Sequence, residues 1–259
     1  MSAWPKSLGE APRVSDEVIE RLKHTETATV LFLLMARGIG RKYGYGPIWM
    51  EGVRTLAPGR RMVGRAVTLR NLPSRPDLQQ LIAVSSTAEG MNDTPRWRAV
   101  EACAPGDVLV SDAIGQSNVS VGGEIVFMRL KQRGAAGLVT DGAVRDAPNV
   151  VNFGLPVFAG GSTPTVGETR IMPFEVNVPI QCGKVLVWPG DVVMGADDGV
   201  VVIPASLAEE IATEAERHDD VERAIMDYVE REKASPSRFY PFNDLTFELY
   251  ERYKQARDS

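Results

Sequence analysis

From Met62 onward the chain is a succession of short β-branched runs, MVGRAVTLR, DVLVSD, GLVTD, LPVFAG, EVNVPIQ, KVLVWPG and GVVVIP, each ended by Gly, Pro or Asp. Short β-branched runs separated by turn residues read as the strands of a strand-rich domain. Between the second and third runs lies GEIVFMRLKQRG, whose Ile125, Phe127, Met128 and Leu130 suit a packed helix and predict a βαβ unit. The class is therefore mixed α/β. A Pro-Gly-Asp turn feeding a buried strand occurs at Pro105 and again at Pro189, which predicts paired tight turns in one sheet domain rather than a solenoid.

The flanks are helical. VSDEVIERLKHTETATVLFLLMARGIG reads as two helical stretches with Ser15 and Thr25 as caps and Gly38 and Gly40 as stops. After the last strand, ASLAEEIATEAERHDDVERAIMDYVEREK is a long charged helix, followed by an aromatic tail holding Tyr240, Phe242, Phe247 and Tyr250. These rings predict packing against a neighbouring subunit or back on the parent chain. The expected organisation is an N-terminal helical extension at 1–60, a sheet domain at 61–207 and a helical, aromatic C-terminal extension at 208–259.

Composition removes several function classes. With 259 residues, 44% of them hydrophobic, the chain can bury a full core. A net charge of −5 without a Lys/Arg block leaves no electrostatic footprint for nucleic acid or an anionic membrane. ATVLFLLMA is too short to span a bilayer, and the N-terminus has no apolar leader, so a cytoplasmic protein is expected. Cys103 and Cys182 lie far apart without metal-ligand spacing and read as small core residues. His24 and His218 read as surface residues in charged helices, which disfavours a histidine metal cluster or a Ser-His-Asp triad. GIGRKYGYG has GxGxxxG spacing after a helix and is discounted as a dinucleotide loop. Lys131 and Lys184 look solvent-facing, so Schiff-base chemistry is not indicated.

What remains is a set of glycine amides, carboxylates and one arginine. SDAIGQSNVSVGGEIVFMRL runs from a strand through a polar loop into a helix whose first turn carries Gly122, Gly123 and Glu124. Free N–H groups at a helix start can take a carboxylate, and paired glycines allow close approach; the plainer reading is a tight turn. In TDGAVRDAPNV, Arg145 and Asp146 follow the next strand, and the plainer reading there is a solvated helix start with an acid near its N-terminus. The sharper reading is a site at the strand ends for an anionic, metal-chelating substrate. Arg145 would clamp a carboxylate and Asp146 would offer a hard oxygen to Mg²⁺ or Mn²⁺.

Glu124, twenty intervening residues, then Arg145 and Asp146 resembles the D/E-x20-R-D pattern of the RraA-like family, which includes 4-hydroxy-4-methyl-2-oxoglutarate/4-carboxy-4-hydroxy-2-oxoadipate aldolases. PGDVLVSD, RGAAGLVTDGAVRD, GLPVFAGGSTP and VNVPIQCGKVLVWPGDVVMGADDGVVVIP resemble family signatures in the same order, over about Arg61 to Leu207. The resemblance implies a swivelling β/β/α domain and homotrimers or homohexamers with sites between subunits. It also implies divalent-metal cleavage of a 4-hydroxy-2-oxo acid to pyruvate, with oxaloacetate decarboxylation. Under it Glu124, Arg145 and Asp146 are the catalytic residues, and Gly122, Gly123, Glu124, Ile125 and Arg145 bind substrate. Asp146 holds the metal, with Glu124 able to assist through water. Gly160 stands where many relatives carry a basic residue, and none of Glu209, Glu210, Glu214 and Glu222 is singled out as the acid a neighbouring subunit would supply. Two alternatives remain: a lyase of sugar-acid-derived 2-oxo-3-deoxy acids, and a non-catalytic regulator that binds an RNA-degrading enzyme.

Overall fold

In a computed structural model covering residues 13–38, 48–78, 93–167 and 170–257, an α/β swivelling domain is built on a nearly closed mixed sheet flanked by N- and C-terminal helices. Gly40 and the rest of the GIGRKYGYG stretch after Gly38 lie outside the described residues. The central strand is β2 (Met62–Pro73), long enough to serve three neighbours. It pairs in parallel with β3 (Val108–Ser111) on one side. On the other side its first half pairs antiparallel with β11 (Val192–Ala196), and its second half with β8 (Ile171–Val176). Beyond β3 the sheet continues through β4 (Gly137–Thr140) and β6 (Val157–Ala159), both parallel, to the short β1 (Arg54–Thr55). At the far side β11 turns back into β12 (Gly199–Ile203). EVNVPIQ, read as one run, is split between β8 and β9 (Ile180–Cys182), which forms a hairpin with β10 (Val185–Val187).

Three apolar layers explain the continuous runs. One face of the sheet packs on α3 (Pro95–Ala102), α4 (Glu124–Gln132) and α5 (Ala147–Asn152), with Phe127, Leu130, Leu138 and Val150 buried between them. The interior is closed over by the β9–β10 hairpin and holds Val108, Val110, Phe158, Cys182 and Val193. Burial pushes the Cys103 thiol up to about 12 and the Cys182 thiol well above its usual range, so both thiols stay protonated in the core. The third layer joins β11 and β12 to α1 (Asp16–Leu22), α2 (Thr27–Ala36) and α6 (Ala208–Glu232).

Capping and ion pairs fix the helical extensions. Ser15 caps α1 by accepting from the Val18 amide at 3.2 Å. Thr25 does not cap α2; its hydroxyl donates to the Leu22 carbonyl, and the helix start is capped from α6 by Asp219. That carboxylate accepts from the Glu26 amide at 3.0 Å and from the Thr29 hydroxyl at 2.6 Å. Glu209 pairs with Arg21, and Glu210 and Glu214 pair with Arg37, so three of the four acids weighed for a neighbouring subunit bind the same chain's own helices. The aromatic tail likewise folds back on its own chain: Phe239 of the tail and Leu249 of α7 (Asp244–Arg257) are buried against Val221 and Ile225 of α6. The two Pro-Gly-Asp turns are true structural echoes, since Asp107 accepts from the Ala104 amide and Asp191 from the Trp188 amide, each at 2.9 Å. Among the described residues no helix is long and apolar enough to cross a membrane.

Candidate functional site

Two loops leave the carboxyl ends of β3 and β4 and run side by side. The first, from Asp112 to Gly123, is pinned by Asp141 at the end of β4, whose carboxylate accepts from the Ala113 and Gly115 amides at 2.6 and 3.2 Å. The second passes through Gly142 into β5 (Ala143–Val144). Between the loops the backbone zips up: Ala143 N–H donates to Val119, Val121 N–H to Ala143, and Arg145 N–H to Gly122, at 2.8–3.0 Å. That zipper brings Gly122, Gly123 and Glu124 against Arg145 and Asp146 despite the twenty residues between them.

Asp146 occupies the left-handed region, φ 56°, a conformation Asp tolerates better than most side chains. It stands at the N-cap position of α5 but does not cap that helix. Its Oδ2 instead accepts from the Glu124 amide, the first of α4, at 3.2 Å. The paired-glycine reading acquires a reason here. A Cβ on Gly123 would sit 2.5 Å from Asp146 Oδ2 and 3.3 Å from an Arg145 guanidinium nitrogen, so only glycine lets both side chains approach the helix start. Gly122 and Gly123 precede α4 rather than forming its first turn, and Gly123 is its N-cap.

The site holds unused valences. Arg145 is half-buried, and among the described residues its guanidinium makes no ion pair. Asp146 is exposed and its second carboxylate oxygen has no partner among them. Glu124 is exposed and is steadied by Asn149, whose side-chain amide donates to Oε2 at 2.9 Å. Asn149 went unnoticed in the sequence, although its place one turn after Asp146 on α5 was the signal. A lone arginine and an open carboxylate oxygen beside a helix start can bind an oxyanion together with a cation. One protein carboxylate with open space around it suits Mg²⁺ or Mn²⁺, which keep waters and take substrate oxygens as further ligands.

Gly160 follows from local packing. Its Cβ would sit 2.7 Å from the Asp141 carbonyl oxygen, and its own N–H donates to the Gly142 carbonyl at 2.7 Å, so a basic side chain has no room here. Ile125 and Met128 were expected to pack, yet Ile125 is 73% exposed and Met128 38%; Val126, Phe127 and Leu130 form the buried face of α4. Beside that exposed face lies a cleft of about 630 Å³ lined by Trp97, Glu101, Glu124, Met128, Arg129 and Phe153, among others.

A second set of ligand types sits on α6, where atoms of His218, Asp219 and Glu222 lie within 4.8 Å of one another and could hold a metal ion. His218 is not the surface residue its charged surroundings predict. Its ring lies between Phe32 and Phe242 at 5.6 and 4.7 Å, and its Nδ1 is buried 3.9 Å from Glu222 without a hydrogen bond. Both Asp219 oxygens serve α2, so that carboxylate is occupied with structure.

The sequence profile of the RraA-like family, described as Aldolase/RraA, matches residues 12–202. A putative 4-hydroxy-4-methyl-2-oxoglutarate aldolase of Halalkalibacterium halodurans is 40% identical over 138 residues, covering 51% of this chain and 64% of the relative. An uncharacterized Methanocaldococcus jannaschii protein is matched over 60% of its length, so the chain spans under two thirds of these curated relatives. Streptomyces coelicolor RraAS2, described as an unusual member of the RNase ES inhibitor RraA protein family, is 33% identical with a TM-score of 0.70, covering 83% of this chain and 97% of that one. An uncharacterized Pseudomonas syringae protein shares the fold with a TM-score of 0.72 at 24% identity, covering 88% of this chain and 98% of that one.

Proposed function

Because the chain belongs to the RraA-like family, Aldolase/RraA, we propose that it is a divalent-metal-dependent carbon–carbon lyase cleaving a 4-hydroxy-2-oxo acid to pyruvate and a carbonyl product. The observation that carries this reading is the convergence on the start of α4 of Arg145 and an Asp146 carboxylate oxygen, both without an ion pair among the described residues. The name of the Halalkalibacterium relative supports the same reaction class.

Asp146 would hold Mg²⁺ or Mn²⁺, with Glu124 assisting through water, and the ion would supply Lewis acidity toward the 2-oxo group. Arg145 binds the C1 carboxylate through two parallel N–H donors, a contact lysine cannot reproduce. The Gly122–Ile125 backbone faces the negative charge that develops on the 2-oxo oxygen, and the α4 N-terminus favours that charge. Glu124 takes the proton of the 4-hydroxyl while Asn149 holds its other oxygen. The O–H electron pair becomes the new C=O bond of the product, and the C3–C4 pair moves onto the pyruvate fragment. Protonation at C3 completes pyruvate. Loss of CO₂ from oxaloacetate uses the same electron flow.

The description of the Streptomyces relative favours one second reading, a regulator that binds a ribonuclease. It would leave Arg145 and Asp146 without a chemical task. The test is pyruvate release from a panel of 4-hydroxy-2-oxo acids with Mg²⁺, coupled to lactate dehydrogenase. Release above background is expected; none from any compound by folded protein would overturn the lyase reading.

A further inference from the structure

The cleft along α4 shares Glu124 with the site, so a substrate held by Arg145 with its 4-hydroxyl at Glu124 can lay its C4 substituent in it. Its length follows from the helix. Glu124 to Gln132 is nine residues, eight steps along the helix and a rise of about 12 Å, room for a six-membered ring and more. Its walls are Trp97 of α3, Ile125 and Met128 of α4, and Phe153 after α5, with Ile125 and Met128 exposed.

Charge decides what kind of tail fits. The cleft's cation, Arg129, is held by Glu101 in a two-point pair, Nε to Oε1 at 2.7 Å and an Nη to Oε2 at 2.9 Å. Arg133 stands behind Glu101, 3.8 Å from its Oε2, and donates to the Cys103 and Glu101 carbonyls. Glu101 and Glu124 against Arg129 leave the lining with a formal net charge of −1. A second substrate carboxylate would meet two acids and a cation already paired to one of them, whereas an uncharged ring or alkyl chain would cover exposed Ile125 and Met128.

Resting on the lyase reading above, the geometry points to a substrate whose C4 substituent is uncharged and apolar, so that the released carbonyl compound is an apolar aldehyde or ketone and not a second 2-oxo acid. The cleft beside Glu124 is the specificity pocket.

Binding separates this from catalysis. 2-Oxo-4-phenylbutanoate and 2-oxoglutarate share the 2-oxo acid head, lack the 4-hydroxyl and differ in their tails. Calorimetric titration of the full chain in Mg²⁺ should give the phenyl compound a Kd at least tenfold lower. Equal affinity, as when a second copy of the chain covers the cleft, tighter 2-oxoglutarate, or no binding of the phenyl compound overturns the inference. Glu101→Gln, which releases Arg129, should shift the affinity ratio at least threefold toward 2-oxoglutarate; an unchanged ratio overturns the charge argument. Phenyl preference without pyruvate release from any 4-hydroxy acid sinks the lyase reading and leaves the pocket. Pyruvate release that favours carboxylate tails sinks the pocket and leaves the lyase.

Discussion

Gly123→Ala adds one methyl group where the side chains of both loops meet. Gly123 has φ −129°, extended backbone that alanine adopts freely, so the change tests contact and not conformation. The new Cβ would lie 2.5 Å from Asp146 Oδ2, and ordinary contact begins at 3.4 Å, so the carboxylate must retreat by about 0.9 Å. The retreat breaks the bond to the Glu124 amide and moves the proposed metal anchor relative to Arg145. A displacement near 1 Å in a reacting constellation costs about 100-fold in rate, or about 2.7 kcal/mol. Folding should suffer much less, because alanine at an N-cap costs at most about 1 kcal/mol relative to glycine, a Tm change of roughly 2–4 °C. The assay pairs kcat/KM for pyruvate release with a thermal melt. A variant whose kcat/KM stays within about threefold of the parent, well short of the loss expected from misplacement, would refute the claim that Asp146 works from this position.

Arg145→Lys keeps the charge but loses the two-point contact, and kcat/KM should fall by on the order of 3 kcal/mol; parent-like kinetics would return Arg145 to a solvated helix start. Asp112 is pushed up to about 7 by burial and then by Asp141. Its folded pKa lies above the unfolded value of 3.8, so the folded state binds the extra proton and this group loses stability as pH rises from about 4 to 7, by at most about 1.4 kcal/mol per pH unit. Asp112→Asn should therefore gain Tm over the parent progressively from about pH 4 to 7 and level off above that, and parallel melting curves would contradict the assignment. Asp219→Ala removes the cap of α2 and strands the buried Thr29 hydroxyl, costing about 2–3 kcal/mol and lowering Tm by roughly 5–10 °C; an unchanged Tm would free Asp219 for another role.

Two strands were legible because covering both faces leaves an unbroken apolar run, at Val108 and Gly137; the run at Val185 also sits in a strand, although Leu186 on one face is exposed. The division of Glu175–Gln181 between β8 and β9 was hidden, since Asn177 turns the chain at φ 55° in a stretch whose composition stays strand-like. The glycine pair marked close approach at the start of α4. That the approaching group is Asp146, accepting from the first amide of α4 instead of capping its own helix, depends on the backbone zipper through Ala143, a tertiary fact with no local signature. The outer face of α4 was misread because hydrophobicity alone does not say which side of a helix is covered; the buried positions 126, 127 and 130 share one face, and 125 and 128 lie off it. Thr25 was misread as a cap because the real cap, Asp219, arrives from 190 residues away.

The central claim is that Asp146 anchors a divalent metal that pyruvate release requires. Parent protein stripped with EDTA should release no pyruvate and recover fully with Mg²⁺ or Mn²⁺, while Asp146→Asn, which keeps the side chain's shape and removes its charge, should bind Mn²⁺ at least tenfold more weakly by calorimetry and fail to recover. Full activity in metal-free protein, or unchanged Mn²⁺ affinity in Asp146→Asn, would contradict it.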